Sequence, residues 1–145
     1  MADRELPPDF SRPDPHFEPS ERLFRRIPLA DVVNGFVSDA SLPSPAFSVD
    51  REKYRKNPAD LLAGHPEAAI AAFRVGEIPA FLTSDDGRRF EFGVEHKPVA
   101  GNYAHSEVQS YENDARLEGN RKPPSHIRKK FRDLLRQRIE ILSLE

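Results

Sequence analysis

EAAIAAFRVGEIPAFLTSDDGRRFEFGVEHKPVAGNYAHSEVQSY, Glu67 to Tyr111, is the stretch whose reading decides the fold. Its apolar run, residues 69–75 (AIAAFRV), could open an alanine-rich helix. It is short, however, and Gly76 and Pro79 follow, so it reads as a buried strand. Residues 78–82 read as one helical turn, and Asp85-Asp86-Gly87 as a tight turn. Residues 89–94 (RFEFGV) alternate, with Phe90, Phe92 and Val94 on one face. A loop at 97–101 leads to a further alternating strand at 105–111. It sets His105, Glu107, Gln109 and Tyr111 on one side and Ser106, Val108 and Ser110 on the other.

Working outward, residues 23–27 (LFRRI) read as a short strand stopped by Pro28. Residues 29–36 read as a brief helix or strand ended by the turn pair Asn34-Gly35. Residues 46–50 (AFSVD) alternate as a second strand. Asn57 caps a short helix with Pro58 at its first position and Gly64 as its stop. After a polar connector at 112–124, Ser125 reads as the cap of the longest helix, with Ile127, Phe131, Leu134, Leu135, Ile139 and Leu142 in one arc. Arg138 falls inside that arc, so a strand is the alternative for 139–144. The expected fold is α+β: a small, mostly antiparallel sheet of about five strands with the C-terminal helix packed on it. The expected divisions are an extended arm at 1–22, an α+β core at 23–120 and a basic amphipathic helix at 121–145.

The chain has 145 residues, enough for one domain with its own core. An apolar share of 37% against 32% charged, with 14 prolines, implies that part of it is solvated extension. A net charge of −2 gives no global attraction to nucleic acid or anionic lipid. The charge is unevenly placed: residues 1–22 carry six acids against three arginines, whereas 121–138 carry eight basic residues against Asp133 alone. Without cysteine there is no disulfide framework, thiolate nucleophile or cysteine-based zinc site. No apolar stretch reaches the length of a membrane span and no signal-peptide pattern opens the chain, so the expected location is cytoplasmic.

The polar signature Asn102-Tyr103-Ala104-His105-Ser106-Glu107 is the candidate for chemistry. Two strand positions apart, His105 and Glu107 point to one face, where the histidine could act as a general base and Asn102 could orient a substrate. The alternative is an ordinary ion pair on a solvated strand. Arg25 and Arg26 are candidates for holding an anionic group, and Ser44 and Ser48 for ligand hydroxyl contacts, although serines beside prolines usually serve turns. Arg25, Ser48 and Glu107 also occur in the order of the arginine, serine and glutamate used by NAD-dependent ADP-ribosyl enzymes, a match of residue type alone. The histidines at 16, 65, 96, 105 and 126 lack metal-ligand spacing, and no phosphate-loop or nucleophile-elbow motif is present. No metal and no cofactor is expected.

The order LFRRIP (23–28), SPAFSVD (44–50), AAF (71–73) and Asn102-x-Ala104-His105-x-x-Val108 resembles a group of small bacterial proteins of unassigned activity. The resemblance spans roughly 23–108 and implies bacterial origin and a place in a multi-gene system. It carries no catalytic role to any residue here.

The first functional expectation is an accessory or interaction protein, without catalysis, that docks on a protein partner or on its own kind. Its contacts would come from Phe10 and Phe17 in the arm and from Arg128, Lys129, Arg132 and Arg136 on the helix. The second is a small enzyme or anionic-ligand-binding domain, nucleotide- or NAD-related, centred on His105, Glu107 and Asn102. The third is a nucleic-acid-binding module using the basic helix.

Overall fold

A computed structural model describes residues 12–38, 42 and 46–142. The main sheet is built from β1 (Arg22–Pro28), β4 (Phe47–Arg51), β5 (Ala68–Arg74), β6 (Phe81–Thr83), β7 (Arg89–His96), β8 (His105–Glu112), β9 (Ala115–Arg116) and β10 (Glu140–Ile141). Their order is β10-β5-β1-β4-β8-β7-β6, with β9 hairpinned onto β8, and all pairings are antiparallel. β2 (Val32–Val33) and β3 (Phe36–Val37) form a separate hairpin through Asn34 and Gly35, whose φ values of 53° and 82° are those a tight two-residue turn requires. The single α-helix among the described residues, α1 (Ser125–Arg136), lies near the C-terminus.

The α+β class holds, but the main sheet has eight strands where about five were expected. The difference lies in short pieces. β6 forms where one helical turn was expected, because the turn falls earlier, as a 3₁₀ segment at Val75–Glu77. β9 lies inside the polar connector, and β10 takes up the strand alternative after the helix. Ser125 is the first helical residue rather than a side-chain cap; Pro124 precedes it with no capping hydrogen bond. Because the helix ends at Arg136, Arg138 is exposed beyond it and the conflict with the apolar arc does not arise.

β5 reads as an unbroken apolar run because both its faces are covered. Ala69, Ala71 and Phe73 join the main core with Leu23, Ile27, Phe47, Val49, Phe90 and Val108. Ile127, Phe131 and Leu135, spaced four apart on α1, close that core, and the Phe131 ring meets Phe92 at 4.5 Å. On the other face, Ile70 and Ala72 with Phe24 make a smaller cluster capped by Leu61 and Leu62 of the 3₁₀ segment Pro58–Leu62. The rest of that second face, over β4, β8 and β7, is polar.

Residues 12–21 lie along the domain, held by Arg51 at the end of β4. Its fully buried guanidinium donates to the Asp14 and His16 carbonyls at 2.8 and 2.6 Å and to both carboxylate oxygens of Glu21 at 3.1 and 2.9 Å. It also lies 3.8 Å from the centroid of the Phe17 ring. Asp14 accepts from Lys53 and Tyr54, and the Lys53 contact above all holds its carboxyl well below the usual range. Its backbone N–H donates to His96 Nδ1 at 2.8 Å.

Candidate functional site

β1 and β4 pair only at Leu23–Arg51 and Phe24–Asp50, and beyond those residues they carry no mutual register. The wedge between them on the second face is a cleft of about 220 Å³, lined by Phe24, Arg25, Arg26, Ser48, Asp50 and Asn102 among others. β4 continues into a register with β8 that sets Ser48 opposite Glu107 and Asp50 opposite His105. Polar residues from the three sequence segments 23–28, 44–50 and 102–108 therefore meet on adjacent strands.

His105 reaches diagonally across this pair. Its Nε2 lies 3.2 Å from Ser48 Oγ, and its Nδ1 lies 2.8 Å from the Lys97 carbonyl oxygen. A carbonyl can only accept, so Nδ1 carries the proton. In the neutral ring Nε2 is then left as an acceptor aimed at the Ser48 hydroxyl. This is the tautomer a general base needs, with the backbone at Lys97 holding the ring.

Asp50 is buried and receives Arg55 Nε at 3.1 Å and Asn102 Nδ2 at 3.0 Å. The Asn102 oxygen accepts in turn from Arg55 Nη2 at 2.9 Å and the Ala104 N–H at 3.2 Å. Asn102 is thus a brace that fixes the 97–104 loop onto β4. Glu107 shares the face of His105, but its contacts run sideways: it accepts from Gln109 at 2.6 Å and pairs with Lys97 at 3.4 Å.

Arg25 donates to the Ser48 carbonyl at 2.8 Å and lies 5.1 Å from the Phe47 ring centroid; burial lowers its pKa. Arg26 stands at the cleft's mouth, exposed, with a 3.3 Å bond to the Leu61 carbonyl. The charges lining the cleft are Arg25, Arg26 and Asp50, and Arg55 already engages the Asp50 carboxylate.

Ser44 and Phe10 lie outside the described residues. Phe17 is turned onto Arg51 of its own chain. On α1, Lys129 pairs with Asp133 at 2.8 Å, and Arg136 bonds both Asp133 and the Val37 carbonyl. The Nε atoms of Arg128 and Arg132 are buried, so the stems of both side chains lie against the domain. No group of three metal-ligating side chains occurs among the described residues, and no helix there is long and apolar enough to cross a membrane.

Sequence reasoning did not single out Arg51, Arg55, Tyr54 or His96. One signal was available for Arg51: Phe47, Val49 and Arg51 alternate, so the arginine belongs to the core face of its strand. Arg55 carried none, since it lies beyond β4 and its contact with Asn102 crosses 47 positions. Comparison with protein-family models, with curated proteins and with solved structures finds no match.

Proposed function

We propose that this protein is an anionic-ligand-binding domain whose site is the cleft between β1 and β4. The observation that carries the reading is the convergence of Arg26 and Ser48 at one small opening, with His105 held against Ser48, over the braced Arg55–Asp50–Asn102 network. The excess of guanidinium over carboxylate selects a negatively charged group. Ser48 supplies a hydroxyl donor to that group, its single proton turning from His105 Nε2 to the ligand.

The docking expectation is modified by this geometry. Asp14 and Glu21 of the arm engage Arg51 and Lys53 of the same chain, which leaves less acidic charge for a partner. A second reading, docking on a protein partner, draws support from another place: the β2–β3 hairpin leaves Val33 and Phe36 57% and 62% exposed, with Leu29 beside them.

Inorganic phosphate followed by ¹H–¹⁵N NMR tests the first reading. Saturable shifts are expected at Arg26, Ser48 and His105. Arg26→Ala should weaken binding about tenfold, the effect of losing a charged hydrogen bond. Shifts scattered over other surfaces, or unchanged affinity in that variant, would refute it.

A further inference from the structure

Resting on the cleft reading, we propose that the ligand carries a second anionic group, held in the polar groove on the far side of His105. This groove, about 520 Å³, is bounded by Lys97 and Glu107 on one side and by Arg116, Glu118, Arg121 and Lys122 on the other. Its size lies within the range of small-molecule sites, whereas the cleft alone is smaller than most.

The two openings flank one pair of strands. Ser48 lines the cleft from β4, and its register partner Glu107 lines the groove from β8. Paired strands lie about 4.8 Å apart, so Ser48 on β4 and Glu107 on β8 are separated by one strand spacing, with the wider β1–β4 gap beyond Ser48. Lys97, whose carbonyl holds His105 Nδ1, lines the groove as well. A ligand occupying both would pass directly over the Ser48–His105 pair.

The groove's lining holds Lys97, Arg116, Arg121 and Lys122 against Glu107 and Glu118. Glu107 pairs with Lys97, and Glu118 with Arg116, which also binds Glu95. Arg121 and Lys122 are exposed on the connector after β9 and enter no close ion pair among the described residues, Arg121 acting only at longer range on Glu112, which Arg88 already engages. They are therefore the excess charge facing the groove. A carboxylate or single phosphate would use the cleft alone, whereas a ligand with two separated anionic groups, such as a phosphate diester chain or an oligophosphate, uses both.

Inorganic phosphate and tetrapolyphosphate are the probes, compared by calorimetry at fixed ionic strength on the full chain. Wild type should bind tetrapolyphosphate at least about tenfold more tightly than phosphate, because the second contact is intramolecular. Arg121→Ala/Lys122→Ala should cut that advantage to about threefold or less and leave phosphate affinity unchanged. Lys129→Ala/Lys130→Ala, which removes equal charge from α1, should leave the advantage intact. An advantage retained in the Arg121/Lys122 variant, or lost equally in the α1 variant, overturns the groove subsite while the cleft reading stands. Absence of any phosphate response at Ser48 and Arg26 overturns the cleft reading and the bridging with it.

Discussion

Replacing Arg51 by methionine removes a fully buried guanidinium while keeping most of its volume. Four hydrogen bonds are lost, from Nε and both terminal nitrogens to Glu21 and to the carbonyls of Asp14 and His16. The Glu21 side chain, 8% exposed, is left as a buried carboxylate without its main counter-charge. Breaking such a pair from one side costs about 3–5 kcal/mol. For a chain of this length that corresponds to a fall in Tm of roughly 10–15 °C. Urea unfolding measures the loss directly, and native-state hydrogen exchange at the Asp14 amide reports whether residues 12–21 come away first. Most of the penalty is the orphaned carboxylate, so Arg51→Met/Glu21→Gln should recover about 1–2 kcal/mol of it, and a double-mutant cycle isolates the coupling. A loss below about 1 kcal/mol, or no recovery in the double variant, would refute the assignment of Arg51 as the clasp of this segment.

His96 predicts a pH dependence in the same region. Its Nδ1 accepts the Asp14 N–H, its Nε2 donates to the Tyr103 carbonyl at 2.5 Å, and its ring stacks on Tyr54, while Arg51 stands nearby. Burial, reinforced by Arg51, lowers its pKa, so the folded state binds fewer protons than the unfolded chain. Its contribution is complete above the ordinary histidine range near pH 6.5 and declines as pH falls from there through the lower folded pKa. Wild type should lose more stability than His96→Asn between pH 7.5 and 5; parallel urea midpoints would sink the claim. On the hairpin, Phe36→Ser should change stability by less than about 0.5 kcal/mol because the ring is exposed. If the hairpin docks on a partner, proteins that co-purify with wild type should be lost from this variant; an unchanged set argues against docking there.

The long strands were legible because covering decides their pattern. β7 alternates since its apolar side faces α1, and β5 runs apolar throughout since both of its sides are covered. The Asn-Gly pair was legible as a turn through the positive φ values it accommodates, but the two-residue strands that pair across it were not. β6, β9 and β10 hold two or three residues each, too few for a period to register, and they exist because a neighbouring strand offers an open edge. The candidate residues were legible only in part. That His105 and Glu107 share a face follows from parity, yet the partner of His105 is Ser48, 57 positions away, because the β4–β8 register decides it. The same register gave Asn102 a bracing contact with Asp50, which lies 52 positions away.

β4 joins the two halves of this molecule through its alternation. One side presents Phe47, Val49 and Arg51 to the core and to residues 12–21; the other presents Ser48 and Asp50 to the polar face. Its pairing with β1 covers only the end nearest Arg51, and past that point the strands part to form the cleft. The clasp therefore acts at the closed end of the wedge. Arg51 also fixes the segment that leads into the Arg55 turn, since the Arg55 N–H bonds the Arg51 carbonyl at 2.8 Å. Arg55 in turn holds Asp50 and Asn102, which align the loop carrying the Lys97 carbonyl that orients His105. If this chain of contacts sets the site, Arg51→Met should weaken phosphate binding at Ser48 even where the variant remains folded. Affinity equal to wild type under folded conditions would separate the clasp from the site and leave Arg51 with stability alone.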